Sequence, residues 1–122
     1  MNQIKEYNAT IFESIKHINS DGTEYWLARE LMLVLEYTRW GNFEKVIEKA
    51  KLVCKLSENN IADHFADVSK MVPIGSNAKR KQDDYKLSRY ACYLIVQNAD
   101  ARKKVVAFGE AAEKVAKIKT DI

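Results

Sequence analysis

The sequence predicts an α+β domain, mainly helical, with a helix-turn-helix-like core and a basic, wing-like β-hairpin. Three observations predict it. Apolar residues recur at helical spacing from Leu27 to Leu56. A turn cluster, Asn19-Ser-Asp-Gly22, precedes the β-prone Thr23-Glu-Tyr-Trp26. Beyond the single proline, Pro73, lies a second hairpin signal rich in lysine and arginine. A chain of 122 residues makes one domain, 1–122.

The elements follow in order. Ile11, Phe12, Ile15 and Ile18 fit one helix face, giving a short helix near residues 8–16 and then an extended pair about the turn at Asn19–Gly22. Leu27, Leu31, Val34 and Leu35 share a face, which predicts a helix over Ala28–Leu35. Thr38 supplies a hydroxyl to cap the next helix. That helix, Arg39–Leu56, carries the clearest stripe: Phe43, Val46, Ile47, Ala50, Val53 and Cys54, with charged residues on the other faces. Asn59 or Asn60 caps a third helix lined by Ile61, Phe65, Val68 and Val72. Pro73 ends it near Met71, because proline cannot continue the hydrogen-bond ladder and restricts the residue before it. Ile74 and Tyr85-Lys-Leu87 read as short strands flanking a basic loop, Gly75–Asp84. Ser88 caps a fourth helix with Ala91, Leu94, Ile95 and Asn98 on one side. Asp100 caps a fifth, from Ala101 to about Ile118.

Composition narrows the function. At 47% hydrophobic and 30% charged residues, the chain is an ordinary globular one rather than a disordered one. No apolar run reaches the ~18 residues of a membrane span. The N-terminus lacks the apolar core of a secretory signal, so the expected compartment is the cytoplasm, where Cys54 and Cys92 stay reduced. The net charge of +3 is unevenly spread. Residues 1–72 carry 9 basic and 11 acidic side chains, residues 73–90 carry 5 and 2, and residues 91–122 carry 6 and 4. The second half is the electropositive one, and a local basic patch neutralises phosphate even when the whole-chain charge is small.

Two constellations point to nucleic acid. The short link between the helices at Ala28–Leu35 and Arg39–Leu56 suits a helix-turn-helix, whose second helix presents its start to the major groove. Here that start carries Arg39, Trp40, Asn42, Lys45 and Lys49. Arginine and asparagine can read base edges, and lysine can neutralise phosphate. The hairpin adds Lys79, Arg80 and Lys81 in the manner of a wing. Arg89, Arg102, Lys103 and Lys104 extend the track. Six such contacts would give a log–log salt slope of about −5. Tyr85, Tyr90 and Tyr93 are further candidates for stacking on bases. Catalytic chemistry finds no support: there is no spaced acid, base and nucleophile set, no CxxC, no HExxH and no phosphate-binding glycine loop. Cys54 and Cys92 read as small core hydrophobes rather than metal ligands. Neither a metal nor another cofactor is expected. A protein-interaction module is the competing class, with Trp40 and Tyr93 as aromatic anchors.

The run Leu87-Ser-Arg-Tyr-Ala-Cys-Tyr-Leu-Ile-Val-Gln-Asn-Ala-Asp100 resembles the signature of the DNA-damage-inducible protein D (DinD) family. Further blocks agree in order: Phe12-Glu-Ser-Ile-Lys-His-Ile, Glu24-Tyr-Trp-Leu-Ala-Arg-Glu-Leu31, Asp63-His-Phe65 and Ile74-Gly-Ser-Asn-Ala-Lys-Arg80. More distantly the pattern is similar to the N-terminal domain of BRO proteins and phage antirepressors. The likeness covers about residues 12–109. It departs at Ala101, where relatives commonly have proline, and over Phe108–Ile118, and relatives carry a further C-terminal region. The resemblance implies a BRO-N-like fold and a bacterial or phage protein of the SOS response. It implies single- or double-stranded DNA as partner, and a recombinase filament or a repressor as the protein partner.

Overall fold

The computed structural model describes residues 11–99. A helical turn over residues 11–14 leads to β1 (His17–Ile18), β2 (Glu24–Leu27), α1 (Ala28–Val34), α2 (Trp40–Leu56), α3 (Ile61–His64), β3 (Phe65–Gly75), β4 (Ala78–Leu87) and α4 (Arg89–Asn98). The strands form one antiparallel sheet in the order β1-β2-β4-β3. The α+β class stands, but the domain is not mainly helical: helix takes 47% and strand 30% of the described residues.

The difference lies in one segment. The expected third helix, to Met71, stops after four residues at His64, and the chain continues as the eleven-residue strand β3. Val68, Val72 and Ile74 are β-branched and sit more easily on a pleated strand than in a helix. Pro73, expected to terminate a helix, instead lies within β3 at the edge of the sheet, where a missing N–H is tolerated. The expected loop Gly75–Asp84 is mostly strand as well, and only Ser76 and Asn77 turn the chain. Asn77 has a φ of 60° and Gly75 a φ of 150°, conformations that asparagine tolerates and glycine favours. The first turn behaves as expected: Gly22, at φ 89°, donates its N–H to the Asn19 carbonyl at 2.9 Å.

The core lies between the sheet and the helices. Trp26, Leu31, Leu35, Phe43, Ile47, Leu87, Leu94 and Ile95 are wholly buried. The α2 stripe is as expected, with Phe43, Val46, Ile47, Ala50 and Cys54 buried, and it packs chiefly on α4 rather than on α1. The expected cap at Thr38 falls one residue early: Arg39 is the N-cap of α2 and provides no side-chain bond. Asn60 caps α3 through Ala62 N–H, and Ser88 caps α4 through Ala91 N–H. Helix α1 has no cap of its own. Its second N–H, of Arg29, donates to Asp84 of β4 at 3.0 Å, so the sheet supplies the missing acceptor. The expected fifth helix lies outside the described residues.

Candidate nucleic-acid interface

Strand β4 pairs with β2 only at Trp26–Leu87 and Leu27–Lys86. Beyond that it pairs with β3 alone, and from the Lys70–Gln82 pair to the turn the two strands form a ribbon, residues 70–82, that extends past the core. At about 3.3 Å per residue the ribbon reaches about 20 Å. Val72 and Gln82 are half-buried, and the other ribbon residues are exposed. The ribbon holds Lys70, Lys79, Arg80 and Lys81 and no carboxylate; Asp83 and Asp84 lie just below it on β4.

The register sorts these cations. Met71 faces Lys81 and Pro73 faces Lys79, and cross-strand partners share a face. Arg80, opposite Val72, lies on the other face with Lys70, opposite Gln82. Lys81 pairs with Asp83 at 3.9 Å, with both side chains 69% exposed, so that pair holds the lysine weakly. Lys70 falls within the segment that apolar spacing predicts as helix, so the sequence does not group it with the hairpin cations.

The ribbon's base has the opposite charge. A groove of about 350 Å³ between it and α2 is lined by Glu44, Asp67, Ser69, Lys81, Asp83 and Tyr85. Carboxylates here repel phosphate, which directs any polyanion to the outer part of the ribbon. Behind the groove, aromatic contacts fix the ribbon to the helices. The Arg29 guanidinium lies 4.1 Å over Trp40, and Trp40 stacks on Tyr85. Lys51 lies 4.4 Å over the Tyr85 ring and hydrogen-bonds its hydroxyl at 3.3 Å. Burial works against the Lys51 charge, but Tyr85 and Glu48 outweigh it and raise the lysine's pKa. Trp40 and Tyr85 are thus packing residues that set the angle of the ribbon.

The helix residues lie elsewhere. Arg39, Asn42, Lys45 and Lys49 are all exposed. Trp40, Glu44 and Lys51 mark the side of α2 that faces the ribbon. At 3.6 residues per turn, Lys45, Lys49 and Asn42 lie about 120–180° round the helix from that side. Helix and ribbon therefore present two separate basic surfaces rather than one continuous track.

Arg89 is built into the fold. Its Nε and Nη2 donate to the two carboxylate oxygens of Glu24 at 2.8 and 3.0 Å, and Nη1 donates to Glu13 at 2.8 Å. Its guanidinium also lies 4.9 Å over Trp26. These bonds hold Glu13 and Glu24 below the usual carboxylate range and push Arg89 up. Tyr90 is half-buried and accepts from Asn59 at 3.0 Å. Tyr93 is half-buried on α4 and favours the charged form of Arg89. Arg102, Lys103 and Lys104 lie outside the described residues. Cys54 and Cys92 are buried thiols outside any disulfide, and burial pushes Cys92 well above the ordinary thiol value. Among the described residues no cluster of three or more His, Cys, Asp or Glu could hold a metal. Nor is any helix there long and apolar enough to cross a membrane.

A small α+β domain with a projecting basic ribbon is the class that this geometry defines. The chain belongs to the BRO family: the model of that family's N-terminal domain matches residues 14–116. It is 50% identical over 99 residues to DNA damage-inducible protein D of Escherichia coli strain K12, a match that covers 81% of this chain and 36% of that protein. The chain therefore spans little more than a third of that relative's length. No solved structure matches it.

Proposed function

We propose that the chain is a non-enzymatic DNA-binding domain of the DNA-damage response, with the β3/β4 ribbon as its principal contact. One observation carries this reading: four cations and no carboxylate on a projecting ribbon. Lys79, Arg80, Lys81 and Lys70 would neutralise phosphates, and binding would depend little on sequence because most such contacts carry no base information. Arg39, Asn42, Lys45 and Lys49 on α2 would form a second, separate contact. Arg89 is left out of the proposed contacts because its donors are committed to Glu13 and Glu24. The name of the Escherichia coli relative, with its reference to DNA damage, agrees with this assignment.

The test is fluorescence anisotropy of labelled single- and double-stranded oligonucleotides across a salt series. A dissociation constant in the micromolar range or below at ~50 mM salt, weakening steeply as salt rises, is expected. Absence of binding to both forms at low salt would refute the proposal.

A further inference from the structure

The ribbon carries more than charge. Met71 is 59% exposed and Ile74 57% exposed, and Pro73 lies between them on the same strand. Met71 and Pro73 share a face with Lys81 and Lys79, so an apolar strand runs beside a cationic one. A register irregularity between Pro73 and Gly75 leaves Ile74 without a partner on β4, close to the turn. The outer end of the ribbon is thus an apolar point flanked by cations.

This combination fits one occupant. A protein partner would need an acidic patch of its own beside an apolar one to meet four cations. A second copy of the ribbon would set like charge against like charge. Duplex DNA offers both counterparts, an apolar stack of base pairs and the phosphates that border it. Two-stranded ribbons enter its grooves, and methionine, isoleucine and proline are among the side chains that unstack base steps from the minor groove.

We infer that the ribbon tip is a DNA-bending wedge. Met71, Pro73 and Ile74 enter between base pairs from the minor groove, while Lys79 and Lys81 hold the flanking phosphates. The inference rests on the DNA-binding reading and names the substrate class within it: duplexes whose base steps are easily unstacked. Such steps cost less to open, so a duplex with unpaired nucleotides should bind more tightly than a fully paired one.

The experiment uses the full chain and duplexes of ~30 base pairs labelled at both ends. One is fully paired and one carries a two-nucleotide bulge. Energy transfer reads the end-to-end distance, and anisotropy reads affinity in parallel. The wild-type chain should shorten the paired duplex and bind the bulged one at least about tenfold more tightly. The Met71→Ser/Ile74→Ser variant changes only exposed side chains. It should lose the bend and bind the paired and bulged duplexes alike, no more tightly than the wild type binds the paired one. A bound duplex of unchanged length, or a variant that bends like wild type, overturns the wedge and leaves the DNA-binding reading intact. No binding to either duplex overturns both. A concentration-dependent dimer of the protein alone, lost in the same variant, assigns the surface to a second copy and also overturns the wedge.

Discussion

Replacing Lys79, Arg80 and Lys81 together by glutamine separates charge from fold. The three side chains are exposed, and the one ion pair among them, Lys81 with Asp83 at 3.9 Å, is open to solvent on both sides. Stability should therefore change by less than about 0.5 kcal/mol. Binding should change a great deal. If the four ribbon cations each neutralise one phosphate of a duplex, the log–log salt slope is about −3.6, and a fourfold rise in salt weakens binding about 150-fold. With only Lys70 left, the slope falls to about −0.9 and the same rise costs about 3.5-fold. Anisotropy titrations of one duplex at ~50 and ~200 mM salt, with a thermal melt of each protein, measure both quantities. An unchanged slope at unchanged melting temperature would refute the assignment of these cations to phosphate. The α2 surface at Arg39, Lys45 and Lys49 would then be the next to neutralise.

Four further outcomes follow from the packing. Arg89→Ala removes both carboxylate pairs and the contact over Trp26; because the guanidinium is about a third exposed, the loss is held to about 1–2 kcal/mol, or ~4–8 °C in Tm, with DNA affinity little changed. The same network sets an acid limb. Glu13 and Glu24 are held below their ordinary value in the folded chain, so their contribution is complete above about pH 4.3 and is lost as pH falls through the folded values. The stability gap between wild type and Arg89→Ala should accordingly close as pH falls below the ordinary glutamate value in denaturant titrations, and a gap that widens in acid would contradict it. Asp84→Ala removes the acceptor that the sheet lends to the start of α1 and should cost about 1 kcal/mol, read from the shift in denaturation midpoint. Trp26→Phe removes the indole N–H that donates to the Phe12 carbonyl at 2.9 Å in a wholly buried site, and should cost about 2–3 kcal/mol.

Elements that bury one side were legible in the sequence. Helix α2 follows its stripe because Phe43, Val46, Ile47, Ala50 and Cys54 are the residues that α4 and the sheet take out of water. The cap of α4 was legible from Ser88 alone, since the chemistry is local. The cap of α1 was not, because Asp84 lies 55 residues away in sequence and only the closed sheet brings it near. Arg89 is a similar case. Its position in a basic stretch suggested a phosphate contact, while its partners Glu13 and Glu24 lie 76 and 65 residues earlier.

The ribbon was misread for a reason tied to its proposed use. Hydrophobic periodicity exists because one face of an element meets a core, and residues 70–82 extend beyond it. With both faces toward solvent there is no period to read, and Ile61, Phe65, Val68 and Val72 could pass for a helix stripe. Two signals remained that did not depend on burial. One was the β-branched pair flanking Pro73, and the other was the Gly75-Ser-Asn77 turn, one residue before three consecutive cations. A strand pair that gains little from burial must be held by its backbone ladder and anchored at its base. Tyr85 provides that anchor: it lies at the root of the ribbon, against Trp40 and under Lys51. The outer residues are thereby left free of packing duties, so Met71, Ile74 and the four cations can be changed for binding without changing the fold. That separation makes the charge and wedge variants informative, because loss of function in either should appear without loss of Tm.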